Sequence, residues 1–311
     1  MQQFATWAAS FALTVLTALR VRAAATALAT LVLVPAAAPA DAQRFERGLL
    51  WRIEGGSAQP SHVFGTIHLS DPRVTKLPPA VARELDEAGS LTVEVGLGAP
   101  NLFALANRMV FSDGRDLPGA VGPELYGKTA PLGEKLGIPE PVLRLFKPWA
   151  VAVLLSVPLQ NPEEVLDLVI ARSAAAQGKP VHELESLDEQ VATFEGLSED
   201  DQIAFLRRAV DNYERLPRTV GRLIEAYLAR DLAAMWRISE ESDDGSAEAR
   251  RLNEIFARRL LEERNARMAE RMQARLKEGK AFIAIGALHL YGSRGVLPLL
   301  ERRGWRVTRV Y

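Results

Sequence analysis

The two ends of this 311-residue chain carry the same arrangement of strand, turn and helix. Near the N-terminus the chain reads HVFGTIHLS (62–70), followed by a Leu-Pro pair, a helical segment, a glycine and the strand LTVEV. Near the C-terminus it reads FIAIGALHLYG (282–292), again followed by Leu-Pro, a helical segment, a glycine and the strand WRVTRVY. The order strand, helix, strand in each copy predicts a β-α-β crossover, in which the helix connects two parallel strands.

The first strand of each copy ends in the pattern Gly-x-x-His. Gly65 and His68 form the N-terminal motif (residues 65–68), and Gly286 and His289 form the C-terminal motif (residues 286–289). Open α/β sheets bind ligands at the carboxyl ends of their strands. If the two units pair in one sheet, both histidines face the same cleft. The alternative is two buried histidines that hydrogen-bond to backbone carbonyl groups.

Glu94, within the apolar strand LTVEV, is a third candidate. Charged side chains are rarely buried without a partner, so a carboxylate here is expected to be a metal ligand or a general base. The alternative is an edge strand on which Glu94 faces water. Two imidazoles and one carboxylate form a three-ligand site that leaves a position open for water on a divalent metal. The chain has no cysteine, and Mn, Co and Zn all accept such nitrogen and oxygen ligands.

Composition excludes several functional classes. The 38 Lys and Arg residues balance 39 Asp and Glu residues, so there is no basic excess and no nucleic-acid partner is predicted. The arginines near the C-terminus alternate with glutamates over residues 246–278, which is typical of an amphipathic helix with a solvated face. The hydrophobic fraction of 48% excludes a disordered chain.

The sequence pattern of residues 1–42 predicts a signal peptide, so that residues 43–311 would form the mature domain. Apolar runs cover residues 4–19 and 23–34, two arginines separate them, and no acidic residue precedes Asp41. The alternative is a transmembrane anchor, but each run is shorter than the roughly 20 residues that span a bilayer. We therefore expect a periplasmic or secreted protein with no stable membrane span after cleavage.

The pattern of strands and helices predicts an α/β (α+β) fold. Strands cluster at the two ends of the mature chain, and a largely helical region covers about residues 100–278. Within it, residues 139–159 predict one strongly apolar helix, and residues 178–186 predict a short strand. The terminal β-α-β units are expected to build one central mixed sheet.

These motifs, together with KPWA, GKPVHELES and EERN, resemble the TraB/GumN family, which includes the Tiki metalloproteases. The resemblance covers about residues 48–311. It implies the central mixed sheet of ChaN-like and erythromycin-esterase-like proteins. It also implies a metal-dependent peptidase site, since Tiki members are metalloproteases that trim a secreted signalling protein.

The resemblance implies roles for eight residues. His68, His289 and Glu94 are the expected metal ligands. Glu94, Arg264 and Glu185 are the expected catalytic residues, with Arg264 binding an oxyanion or a substrate carboxylate and Glu185 as a second general base. The expected substrate-binding residues are Asn265, Lys147 and Tyr291.

The function expected from these features is an exported metal-dependent hydrolase, a peptidase that acts on a peptide or protein substrate. Two alternatives remain open. One is a metal-free hydrolase in which a histidine is the base and Glu94 orients it. The other is a non-catalytic ligand- or peptide-binding module, such as a haem-binding ChaN-like protein. The sequence does not indicate the substrate or the oligomeric state.

Overall fold

The computed structural model of the protein describes residues 44–55, 59–96, 99–161, 164–241 and 245–311. The predicted signal peptide lies outside these residues. The chain divides into two units, and both draw on the predicted helical middle region. A helical unit contains the described residues of Leu97–Pro162 and Leu187–Pro217. A sheet unit contains those of Ala29–Gly96, Glu163–Ser186 and Arg218–Tyr311.

The sheet unit is built on six strands. They are β1 (Leu50–Glu54), β2 (Ser61–Thr66), β3 (Ser90–Val93), β4 (Val181–Glu183), β5 (Ala281–Gly286) and β6 (Arg306–Arg309). Their order in the sheet is β4-β3-β5-β2-β1-β6. Strands β4, β3, β5 and β2 pair in parallel, whereas β1 is antiparallel to both β2 and β6. The predicted α+β fold with a central mixed sheet from both ends of the chain is confirmed.

Strand β5 lies inside the sheet, between β3 and β2. All six of its residues are buried, which agrees with the uninterrupted apolar sequence that interior parallel strands carry. Its last residue, Gly286, is in register with Thr66, the last residue of β2. The two Gly-x-x-His loops therefore leave neighbouring parallel strands at the same level.

Helices make up most of the remaining structure. They are α1 (Pro72–Thr75), α2 (Pro79–Glu87), α3 (Ala99–Met109), α4 (Leu117–Lys135), α5 (Glu140–Leu143), α6 (Pro148–Leu155), α7 (Leu166–Ala176), α8 (Leu187–Glu195), α9 (Glu199–Asn212), α10 (Leu216–Leu228), α11 (Leu232–Glu240), α12 (Ala247–Phe256), α13 (Glu263–Glu278) and α14 (Val296–Arg302). A π-helical segment, Ala257–Glu262, joins α12 to α13. The predicted long helix over 246–278 is confirmed, with this π-helical turn inside it.

In the helical unit, the apolar helix predicted over 139–159 is divided in two. Helix α5 ends before Lys147, whose backbone is extended, and α6 begins at Pro148. Proline disfavours the helical conformation in the residue before it and fits the first position of a helix, so it separates the two helices. Every residue of α6 is buried, and the helix packs against α9. Its apolar sequence thus forms the core of this unit.

Among the described residues, we find no helix that combines the length and the apolar character needed to span a bilayer.

Candidate functional site

Four candidate side chains follow the carboxyl ends of the four parallel strands. His68 comes two residues after β2, His289 three residues after β5, and Glu94 directly after β3. Glu185 comes two residues after β4. This edge of a parallel sheet is where α/β proteins bind ligands. The structure thus brings together residues that are far apart in sequence.

Glu94 lies one residue beyond β3, whereas the sequence placed it inside the strand. Strand β3 is flanked by β4 and β5, so it is not an edge strand. The residue is only 6% exposed. The alternative in which Glu94 faces water is therefore wrong.

The two histidines and Glu94 meet around Gly286. A Cβ atom added at Gly286 would lie 3.3 Å from Glu94 Oε1, 3.4 Å from His289 Cδ2 and 3.5 Å from His68 Nε2. His289 Nε2 itself lies 3.6 Å from Glu94 Oε1. The missing side chain at Gly286 leaves the space that these three groups share.

A buried arginine holds Glu94 in place. Arg264 Nη2 lies 2.6 Å from Glu94 Oε2, and the backbone N–H of Gly286 donates to Glu94 Oε1 at 2.6 Å. Burial is the largest single effect and would raise the pKa of Glu94, and the positive charge of Arg264 is the main effect that opposes it. With the smaller effects of the two histidines and the Gly286 N–H, the pKa is about 2, so Glu94 is a carboxylate at neutral pH.

The same arginine binds a second buried carboxylate. Arg264 Nε donates to Glu185 Oε2 at 2.8 Å, while Arg267 donates to Glu185 Oε1 at 2.6 and 3.0 Å. Arg264 is 1% exposed and Glu185 is 2% exposed. Both were predicted as catalytic residues. In this arrangement the Arg264 guanidinium lies between two carboxylates, which suits it to holding Glu94.

His289 is oriented by Asn265. The amide nitrogen of Asn265 donates to the carbonyl oxygen of Arg294 at 2.9 Å, which fixes its other atom, Oδ1, as an acceptor. His289 Nδ1–H donates to this oxygen at 2.7 Å, so Nε2 carries the lone pair. Burial, chiefly, lowers the pKa of His289 to about 3, with Arg264 and His68 also opposing a positive charge. Asn265, predicted as a substrate-binding residue, is 2% exposed.

His68 is hydrogen-bonded to Asp167, a residue that the sequence did not single out. Its Nδ1–H donates to Asp167 Oδ2 at 2.6 Å, and the hydroxyl of Thr66 donates to Asp167 Oδ1 at 2.7 Å. Burial is the largest effect and lowers the pKa of His68, but the charge and hydrogen bond of Asp167, together with the charge of Glu94, outweigh it, and the pKa lies above its ordinary value. An acidic residue in the first turn of a helix is common, so Asp167 carried no distinguishing signal in the sequence.

Two other predicted residues have different surroundings. The ring of Tyr291 packs against Trp236, with ring centres 5.5 Å apart, and its nearby charges include Glu46 and Arg237. Lys147 belongs to the helical unit, where its Nζ donates to Glu195 at 2.9 Å. Lys147 lines a cavity of about 380 Å³ together with Trp149 and Glu195.

The donor groups around Gly286 fit a divalent metal ion. Both imidazoles direct Nδ1–H to an acceptor, which leaves Nε2 as the atom that can bind a metal. A carboxylate oxygen has two lone pairs, so Glu94 Oε1 can accept a further partner beside the Gly286 N–H. The carboxylates of Glu94, Glu185 and Asp167 exceed the guanidiniums of Arg264 and Arg267 by one negative charge.

The present positions do not form a closed metal site. Among the residues that the structure describes, no group of three or more His, Asp or Glu side chains is arranged to hold a metal ion. The ligand chemistry therefore fits, and binding would require the three groups to draw together around the space beside Gly286.

These features define the class of the protein: it is an α+β protein whose parallel strands place two histidines and a buried glutamate at one edge of a mixed sheet. A sequence model of the TraB/PrgY/gumN family matches residues 49–309, and the chain belongs to this family.

Two relatives are informative. The chain is 26% identical to Metalloprotease TIKI1 of Danio rerio over 83% of its own length, and it spans 62% of the length of that protein. It is 23% identical to the Uncharacterized protein YbaP of Shigella flexneri, with 78% of this chain and 88% of that protein covered. No solved structure matches this chain.

Proposed function

We propose that this chain is a metal-dependent hydrolase that cleaves peptide bonds. The observation that carries the proposal is the convergence of His68 Nε2, His289 and Glu94 Oε1 on the space beside Gly286. The similarity to proteins named as metalloproteases supports the same reaction class. The proposed ligands are His68, His289 and Glu94.

A divalent cation at this position would polarise a substrate carbonyl and acidify a water molecule. Other residues of the chain hold the proposed ligands in place. Asp167 and Asn265 accept hydrogen bonds from the two imidazoles, and Arg264 helps to keep Glu94 ionised. The pair of Glu185 and Arg267 holds Arg264 in turn, so that the Glu94 carboxylate cannot rotate freely. Mn, Co and Zn remain candidates, because nitrogen and oxygen ligands do not distinguish them.

We also propose that the protein acts in the periplasm or after secretion, on a peptide or protein. The support is the pattern of residues 1–42: apolar runs, two arginines and a small-x-small site at 40–42. N-terminal sequencing of the protein from its native host tests this. A mature N-terminus at Gln43 is expected, and recovery of residues upstream of residue 40 would contradict it.

The central experiment measures hydrolysis of a peptide library by metal-free protein and by protein supplied with Mn, Co or Zn. We expect turnover to require one of these metals. We expect His68→Ala and His289→Ala each to reduce it by on the order of 10³-fold or more, because each removes a ligand. The matched control is His62→Ala, a histidine of β2 that pairs with Glu84.

Each other result has a defined meaning. Metal-independent turnover that depends on His68 would favour the metal-free hydrolase. Metal or peptide binding without turnover under any condition would favour the binding module. Full activity in both histidine variants would contradict the proposed site altogether.

A further inference from the structure

Asp167 lies on a helix outside both Gly-x-x-His motifs, yet both its oxygens are bound to the end of β2. Oδ2 accepts from His68 Nδ1–H at 2.6 Å, and Oδ1 accepts from the Thr66 hydroxyl at 2.7 Å. Thr66 is the last residue of β2, and His68 lies in the loop that follows. One carboxylate therefore fixes the strand end and the imidazole relative to each other.

An ordinary role in helix stability accounts poorly for this geometry. An acidic residue in the first turn can stabilise its helix through the helix dipole without any specific hydrogen-bond partner. Here the cap residue Val165 provides no side-chain hydrogen bond, and the carboxylate of Asp167 turns toward Thr66 and His68. The side chain serves the loop beside the helix.

The backbone links the same two elements. The N–H of Leu166, the first residue of α7, donates to the carbonyl oxygen of Leu69 at 3.1 Å. Leu69 directly follows His68. Asp167 is thus held at a fixed distance from the imidazole by main-chain as well as side-chain contacts, as a positioning residue requires.

We infer that Asp167 is a positioning residue for His68. It fixes the imidazole with its proton on Nδ1, so that Nε2 keeps its lone pair toward the space beside Gly286, where a Cβ would lie 3.5 Å away. The consequence for metal affinity rests on the proposed function, whereas the tautomer does not.

The first test uses full-length, metal-free protein labelled with ¹⁵N at histidine, studied by NMR at alkaline pH, where the ring is neutral. We expect His68 to be protonated on Nδ1 in the wild type. Asp167→Ala removes the acceptor, and we expect the proton to move largely to Nε2. Asp200→Asn is the matched control, because Asp200 is an exposed first-turn acid of another helix. It should leave the His68 signals unchanged.

The second test measures binding of Zn²⁺ and Mn²⁺ alone by calorimetry. We expect Asp167→Ala to weaken affinity by about 10- to 100-fold, the usual range for loss of a group that orients a ligand. Asp167→Asn keeps a neutral acceptor of the same shape, as Asn265 provides for His289, and should weaken affinity less. The Asp200→Asn control should bind like the wild type.

The outcomes separate the two proposals. A wild-type His68 protonated on Nε2 overturns the inference without any variant, so it remains falsifiable even if Asp167→Ala does not fold. An unchanged tautomer in a folded Asp167→Ala variant also overturns it. If the tautomer shifts as expected but the wild type binds neither metal nor peptide, the proposed function fails while Asp167 keeps its positioning role.

Discussion

The N-terminal and C-terminal motifs place two histidines in equivalent positions, yet the pKa values of the two histidines are shifted in opposite directions. Each histidine is buried, and each donates Nδ1–H to an oxygen atom. The acceptor is a carboxylate at His68 and a neutral amide at His289. The pKa of His68 is accordingly raised, whereas that of His289 falls to about 3.

The difference shows which part of the site the repeated sequence controls. The Gly-x-x-His pattern and the register of β2 with β5 set where the two rings lie. Burial is the largest effect on the pKa of both rings and disfavours their charged forms, and Glu94 opposes it at both; only at His68 do the charge and hydrogen bond of Asp167 add to that opposition, and there the pKa is raised. The partner that determines proton affinity therefore comes from a helix outside the repeat.

Glu94 lies beside the histidines of both motifs, and the largest expected effect on stability comes from removing its buried partner, Arg264. Arg264→Ala would leave Glu94 and Glu185 buried with much less compensating charge. Removing one partner of a buried ion pair costs about 3–5 kcal/mol, so we expect a loss of this size in the free energy of unfolding. Urea denaturation measures it directly.

Arg294→Ala serves as the control for Arg264→Ala. Arg294 forms an exposed ion pair with Glu262, and such pairs contribute about 1 kcal/mol or less. Equal stability of the two variants would show that the buried network does not stabilise the fold. If Arg264→Ala does not fold, Arg264→Lys, which keeps the charge but loses the fork, should have intermediate stability.

Much of the fold was predictable because it follows from local patterns. The β1–β2 hairpin, the buried strand β5 and the long helix over 246–278 all carry the period or composition of their structure. The division of the 139–159 helix was missed because its apolar pattern continues across Pro148. Proline chemistry, rather than hydrophobic periodicity, determines where that helix begins.

The candidate site was predictable only in part. His68 and His289 stand out because the same pattern occurs twice, and Glu94 because it interrupts an apolar strand. Asp167 and Arg267 join the site through long-range contacts, 99 and 82 residues from His68 and Glu185. A single sequence records no such contact. The two residues therefore look like ordinary charges on a helix.

The two motif glycines offer a comparison of intermediate size. A Cβ at Gly65 would lie 2.8 Å from Leu290 Cδ1 and 3.0 Å from the backbone Cα of Ala287, which cannot easily move. Overpacking of this kind costs about 1–3 kcal/mol, so Gly65→Ala should lower the free energy of unfolding by that amount. At Gly286 the nearest atoms are side chains at 3.3–3.5 Å, and Gly286→Ala should cost less.

The affinity for Zn²⁺ should fall more in Gly286→Ala than in Gly65→Ala, which is the reverse of the order expected for stability. The Cβ of Gly286→Ala would occupy the space that His68, His289 and Glu94 share, so calorimetry should show the greater loss of Zn²⁺ binding there. If Gly286→Ala is as stable as Gly65→Ala and binds Zn²⁺ as tightly as the wild type, this space is not the binding site.

The last prediction compares the titration of the two histidines. In chelator-treated protein, NMR should show His68 titrating above its usual pKa and His289 remaining neutral until about pH 3. Between about pH 6.5 and 3, the unfolded chain binds a proton at His289 that the folded chain does not, so this residue lowers stability as pH falls, by about 1.4 kcal/mol per pH unit. The contribution of His68 has the opposite sign: it is fully present below about pH 6.5 and is lost as pH rises through the folded pKa.

Asn265→Asp would give His289 a carboxylate partner like that of His68 and should raise its pKa. An unchanged His289 titration in that variant would show that burial, and not the partner, controls both rings.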